Sequence, residues 1–303
     1  MKKILLFMLP VMALIFTSCE KNNENELSGD DVIQFEDPNF LKALLDVKKV
    51  ELYDAERKTY VEYLIDVDAN HDGEITVKEA KNVRALFLYR TSEDGDWIGG
   101  YDIENVPEIK YFTALEFFDC ADNQLTSLDL SRNTALEFFN CGNNQLTSLD
   151  LSRNTALTSL GCSNNQLTSL DLSKNTALIN LFCSENQLTS LDLSKNTALT
   201  DLWCGNNQLT SLDLSKNTAL TSLDCSDNQL TSLDLSRNTA LTSLGCSNNQ
   251  LTSLDLSKNT ALTDLYCSNN PLQELILYKY NIINDRDMES IEFEYGGIIE
   301  YVE

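Results

Sequence analysis

The residues best equipped for chemistry are Asp68, Asn70, Asp72, Glu74, Thr76 and Glu79, which recur at short intervals over twelve residues ending on a carboxylate. Asp68, Asn70 and Asp72 offer side-chain oxygens, Glu74 its carbonyl, Thr76 an oxygen or a bound water, and Glu79 two carboxylate oxygens. Ca2+ is a hard cation that takes roughly six to eight oxygen ligands, and Gly73 permits the sharp turn that aims them at one point. Cys19 is the second group of interest. It follows Lys2 and Lys3, an apolar run from Ile4 to Phe16, and the small pair Thr17-Ser18. That run is too short to span a bilayer comfortably and has the charge layout of a cleaved signal. His71 is the only histidine and falls at a non-ligand position of the acidic loop, which removes most familiar triads and zinc sites.

The acidic loop resembles an EF-hand calcium loop at every defining position. The spacing of Tyr60, Tyr63, Leu64 and Val67 predicts an entering helix, and Val77 to Leu88 an exiting one. With a single loop, the resemblance implies structural calcium rather than a paired sensor. The segment around Cys19 resembles a bacterial lipoprotein signal, which implies a signal peptide over 1–18 and an acylated Cys19 at the start of a polar, acidic tether over 19–31. The alternative is an ordinary secretory signal with Cys19 in its cleavage region. Each buried methylene contributes about 0.8 kcal/mol, so two or three acyl chains anchor a protein essentially permanently. Acidic residues just after the cysteine resemble the export signal of outer-surface lipoproteins, implying an outer-membrane, cell-surface location.

The other cysteines set the architecture. Cys120, Cys141, Cys162, Cys183, Cys204, Cys225, Cys246 and Cys267 recur every twenty-one residues, the mark of a repeat array rather than a cross-linking pattern. The copy at 220–240 contains two half-units of the form L-x-x-L-x-[C/L]-x-x-N. In each, alternate residues (Leu223 and Cys225, then Leu233 and Leu235) point to one side of a short strand, and Asn228 and Asn238 fall at turns. The cysteines take an inward position equivalent to leucine, where free thiols pack as small hydrophobes. The array resembles bacterial leucine-rich repeats of the L-x-x-L-x-C-x-x-N-x-L-x-x-L-D-L type. The expected fold is therefore mainly β: a solenoid of about eight coils with parallel sheets, preceded by a small α-helical cap that contains the calcium loop. The cap covers 32–102 and includes a helix near Phe35 to Leu45, with Phe40, Leu41, Leu44 and Leu45 on its buried face. The solenoid covers 103–277 and a C-terminal cap 278–303.

The two halves of the repeat differ in variability. The run N-Q-L-T-S-L-D-L-S-[R/K]-N-T-A-L occurs seven times from Asn123 onward, whereas the other half diverges. Outward positions of the diverged strand bring Phe117, Phe138, Phe182, Asp201, Trp203 and Tyr266 onto two adjacent columns. Aromatics exposed in this way are favoured binding anchors, and Gly161 beside Phe182 offers room for an inserted group. The alternative is that these rings only pack on one another. The invariant face, with an aspartate column from Asp129 to Asp255 and a basic column from Arg132 to Lys258, reads as solvated.

A net charge of −25 without a basic run excludes nucleic acid as a partner, since binding it needs clustered Lys and Arg. No acid–base pair stands out from the repeated carboxylates, so the chain reads as no enzyme. The expected function is surface binding or adhesion, with a protein partner on the variable sheet, the membrane reached only through the lipid anchor, and calcium as cofactor. Glycan capture by Phe182, Trp203 and Tyr266 is the second binding reading. A polymer hydrolase or a purely structural envelope protein represents the other classes.

Overall fold

The computed structural model of the chain describes residues 27–46, 48–54, 59–91, 97–279 and 298–302. The expected signal peptide, Cys19 and most of the tether lie outside the described residues.

The N-terminal segment is mixed rather than helical. Helix α1 (Pro38–Leu45) starts on Asp37, whose Oδ1 accepts from the Asn39 N–H, with Pro38 at the first position. Its expected inner face is half right: Phe40 and Leu44 are buried, while Leu41 and Leu45 are half-covered. Phe40 lies edge-on to Phe35 at 5.4 Å and tilted against Phe112 at 6.2 Å. Asp37 Oδ2 also accepts from the Glu104 N–H at 2.7 Å, which ties the helix start to the first coil.

The entering helix expected before the calcium loop is a strand. Strands β1 (Lys48–Asp54) and β2 (Thr59–Ile65) form an antiparallel hairpin in unbroken register from Lys48–Ile65 to Asp54–Thr59. The sequence Thr-Tyr-Val-Glu-Tyr-Leu-Ile is rich in β-branched and aromatic residues, and a matching strand upstream lets pairing override the helical spacing. The exiting helix is also shorter than expected. It is the single turn α2 (Val77–Ala80), and strand β3 (Ala85–Phe87) follows at once. Strands β4 (Tyr89–Thr91) and β5 (Trp97–Gly100) then pair antiparallel.

The solenoid strands are β6 (Phe117–Asp119), β7 (Phe138–Asn140), β8 (Ser159–Gly161), β9 (Asn180–Phe182), β10 (Asp201–Trp203), β11 (Ser222–Asp224), β12 (Ser243–Gly245) and, after β13 (Ser253–Leu256), β14 (Asp264–Tyr266). With β3 they build one nine-stranded sheet in the order β14-β12-β11-β10-β9-β8-β7-β6-β3. All of its pairs are parallel, and from β6 to β14 each is in register at one repeat, with Trp203 against Phe182 on one side and Asp224 on the other; β3 instead pairs Ala85 with Phe117, outside the repeat spacing. The sheet thus begins at β3, inside the segment assigned to the cap. Strand β15 (Glu274–Tyr278) pairs with β13 and with β16 (Ile298–Val302) in a second parallel sheet.

Each coil buries the same positions. In one turn Leu199, Leu202, Cys204, Leu209 and Leu214 are essentially inaccessible, and the corresponding residues of neighbouring coils continue one unbroken core. A single coil could not remove its leucines from water, but a stack can. Two asparagine ladders close the turns. Asn186 Nδ2 donates to the carbonyls of Cys162, Cys183 and Ser184, and its Oδ1 accepts the Leu167 N–H at 3.0 Å, joining one coil to the next. The second ladder, Asn133 to Asn259, donates in the same way, as Asn196 does to the Leu172 and Asn175 carbonyls.

The invariant half-unit was expected to be a strand and is one only at β13. In the other coils its aspartate takes up the backbone donor two residues on, as Asp192 Oδ1 accepts the Ser194 N–H at 2.9 Å. This local bond competes with sheet pairing. At β13 the same aspartate bond is present, but the neighbouring Glu-Leu-Ile-Leu-Tyr of β15 supplies a strand to pair with.

Candidate functional site

The diverged strand faces outward from the nine-stranded sheet, and each repeat contributes one residue to each column. Phe182 and Trp203, on β9 and β10, meet edge to face with centroids 5.1 Å apart. Trp203 keeps 49% and Tyr266 50% of its surface exposed. Phe117 is only 6% exposed because Phe87 of β3 packs against it, and Phe138 flanks that pair. Asp201 is held by the Thr200 hydroxyl, which donates to its Oδ2 at 2.6 Å.

A groove of roughly 1030 Å³ runs across the coils of β6 to β10, lined among others by Phe138, Ile179, Phe182, Glu137, Asp122 and Asp201. Phe117 lines it too, whereas Trp203 stands outside its wall. Glu137 is pushed above the usual carboxylate range, mainly by burial and then by neighbouring Glu116. Burial also raises Asp122, partly offset by the Asn143 amide donating to it at 2.8 Å. The room expected over Gly161 is taken: a Cβ there would stand 2.7 Å from Asn140 Oδ1, so the Asn140 amide lies across the glycine. Asp224 leans over Gly245 in the same way.

The column of Glu116, Glu137, Thr158, Ile179 and Thr200, just ahead of each strand, also lines the groove at four of these residues and was missed from sequence. Its signal was available, because these positions vary like the strand residues that follow them.

The invariant face holds its aspartates differently. At Asp171, Asp192 and Asp213 the carboxyl is held below its usual range first by the backbone N–H of the serine two residues on and then by its hydroxyl. The adjacent lysine contributes less than either. The inner thiols form no disulfides and are buried, and burial pushes Cys162 up to about 12 and Cys204 and Cys225 well above the ordinary range.

In the acidic loop, Asp68 Oδ1 and Oδ2 accept the N–H groups of Asp72 and Gly73 at 3.2 and 2.9 Å. Glu79 spans the loop, with Oε1 accepting from the Ala69 N–H at 3.1 Å and Oε2 from the Thr76 N–H at 2.9 Å. The backbone is left-handed at His71 (φ 59°) and Gly73 (φ 83°). Ile33 pairs with the loop through its N–H to the Ile75 carbonyl at 2.8 Å. The donor set is entirely oxygen and its chemistry fits a hard divalent cation. The carboxylates are spent on loop N–H groups, however, and among the described residues no three His, Cys, Asp or Glu side chains are grouped to hold a metal.

A family model of two tandem leucine-rich repeats matches residues 113–154, 197–238 and 218–257. The coils at 113–154 and 197–257 match leucine-rich repeats. A leucine-rich-repeat protein of Leptospira interrogans superposes at TM-score 0.59 and 22% identity, over 74% of this chain and 62% of its own, so this chain spans less than two thirds of that protein. Internalin C2 of Listeria monocytogenes gives TM-score 0.50 at 17% identity, over 88% of this chain and 94% of its own. The functional domain of InlJ from Listeria monocytogenes, described as including a cysteine ladder, gives 0.40 at 24% identity over 91% and 72%. No curated protein matches the chain. The likenesses concern the fold. The groove lies on the extended parallel sheet that these solenoids share.

Proposed function

We propose that this protein is a lipid-anchored binding module of the bacterial outer surface that grips a protein partner on the variable sheet of its leucine-rich repeats and does not catalyse a reaction. The observation that carries the reading is the confinement of variation to one face. There Trp203 stands half-exposed at the edge of a largely apolar groove and Tyr266 half-exposed further along the same column, while the invariant half repeats almost unchanged. Large exposed rings next to a concavity are the anchors that dominate protein interfaces. Acylated Cys19 would tether the module to the outer membrane through the acidic segment that follows it. Calcium, held by Asp68, Asn70, Asp72 and Glu79 with the Glu74 carbonyl and Thr76, would lock the cap against the first coils; the oxygen donor set and the left-handed His71 and Gly73 support this.

The test is photo-crosslinking from the groove rim on cell surfaces, comparing wild type with Phe182→Ala/Trp203→Ala. The reading expects a discrete protein adduct that the double variant loses. An adduct unchanged in that variant refutes the chosen face. Binding on a glycan array that vanishes in the same variant moves the conclusion to sugar capture.

A further inference from the structure

The groove has a chemical bias that a general binding face would not need. None of its lining residues is Lys, Arg or His, while Asp122, Glu137 and Asp201 are acidic and half-buried. Arg84, whose charge also acts on Glu137, is engaged in an ion pair with Glu116. Between the carboxylates Phe138, Ile179 and Phe182 supply the large apolar side chains, among the smaller polar Thr158, Ser159 and Asn180.

Glu137 belongs to the coil of β7 and Asp201 to that of β10, three steps apart along the stack. At about 4.8 Å per step this is about 14 Å, which an extended peptide rising about 3.3 Å per residue covers in about four residues.

Resting on the reading that the variable sheet is the partner face, we infer that this groove takes an extended partner segment carrying two basic side chains about four residues apart with apolar side chains between them, the basic groups meeting Glu137 and Asp201. A partly desolvated carboxylate that has no ion pair in the groove favours a positively charged visitor, and acids aligned against a cationic strand set both register and on-rate. An acidic segment would meet repulsion here and again from the chain's net charge of −25.

The experiment selects binders to the full chain from a random linear-peptide display library and then measures the enriched peptides by fluorescence anisotropy. Enrichment of peptides with Lys or Arg at the stated spacing around aromatic or aliphatic residues is expected. Glu137→Gln/Asp201→Asn, which changes charge without changing shape, should weaken them about tenfold per carboxylate. The charge-matched pair Asp192→Asn/Asp213→Asn, on the invariant face, should leave them unchanged. Enriched peptides that are neutral or acidic, or that ignore Glu137→Gln/Asp201→Asn, overturn this inference even if Phe182→Ala/Trp203→Ala abolishes their binding. Peptides indifferent to both pairs of groove and rim substitutions overturn the variable-face reading as well, as does a selection that enriches nothing.

Discussion

The two asparagine ladders make opposite demands on the same residue type, and this allows a stability prediction that runs against burial. Asn196 is wholly inaccessible and Asn186 retains 8% of its surface. Burial alone would make Asn196→Ala the costlier change. Bonding reverses the order. Asn186 serves three carbonyls and also accepts the Leu167 N–H, so Asn186→Ala orphans a buried backbone donor and thins the coil-to-coil seam. An orphaned buried N–H costs about 1–3 kcal/mol and each of the three lost neutral hydrogen bonds about 1 kcal/mol, so the total is about 4–6 kcal/mol. Asn196 donates two bonds, and its Oδ1 accepts none from the protein. Its removal strands no donor and should cost about 1–2 kcal/mol. Because repeat arrays do not unfold in one step, the readout is hydrogen exchange at the amides of coils 167–207, supported by denaturant midpoints. Equal protection loss in the two variants, or a greater loss in Asn196→Ala, would refute the bonding argument.

Glu185 is the one glutamate in a column of left-handed residues (φ 55°) otherwise occupied by Asn or Asp, so Glu185→Asn should raise stability by about 0.5–1 kcal/mol, read as a higher denaturation midpoint. The ladder thiols have folded pKa values above their unfolded value of 9.0, so their contribution is complete below pH 9 and is lost as pH rises further and unfolded thiols ionise. Melting temperature should therefore fall above pH 9, and native protein should resist iodoacetamide; alkylation of the native thiols at neutral pH would contradict this. Calcium at a hundredfold excess over Kd should stabilise the chain by about 2.7 kcal/mol, and Glu79→Gln should abolish most of that gain; a wild type whose melting ignores calcium sinks the loop reading. Cys19→Ser should move the protein from the membrane to the soluble fraction and end palmitate labelling, and unchanged labelling would place the modification elsewhere.

The coil and its inward residues were legible in the sequence because a strict period places each twenty-one-residue copy in the same surroundings. Leu202 and Cys204 must then point inward wherever Leu181 and Cys183 do, and both pairs are fully buried. The outward columns followed by alternation, which is why Trp203 and Tyr266 were found on the exposed side. Pairing and neighbourhood were decided only in three dimensions. The residues before the acidic loop fit a helical spacing, yet a complementary strand at Lys48–Asp54 drew them into a hairpin. The leucines of the invariant half alternate as a strand would, but Asp192 and its counterparts turn the backbone donor inward on itself, and only β13 finds a partner. Gly161 promised an opening that the Asn140 side chain of the previous coil covers. A one-dimensional period determines which side a residue faces. What lies across from that side depends on contacts between segments far apart in the chain, and these took shape only when the coils stacked.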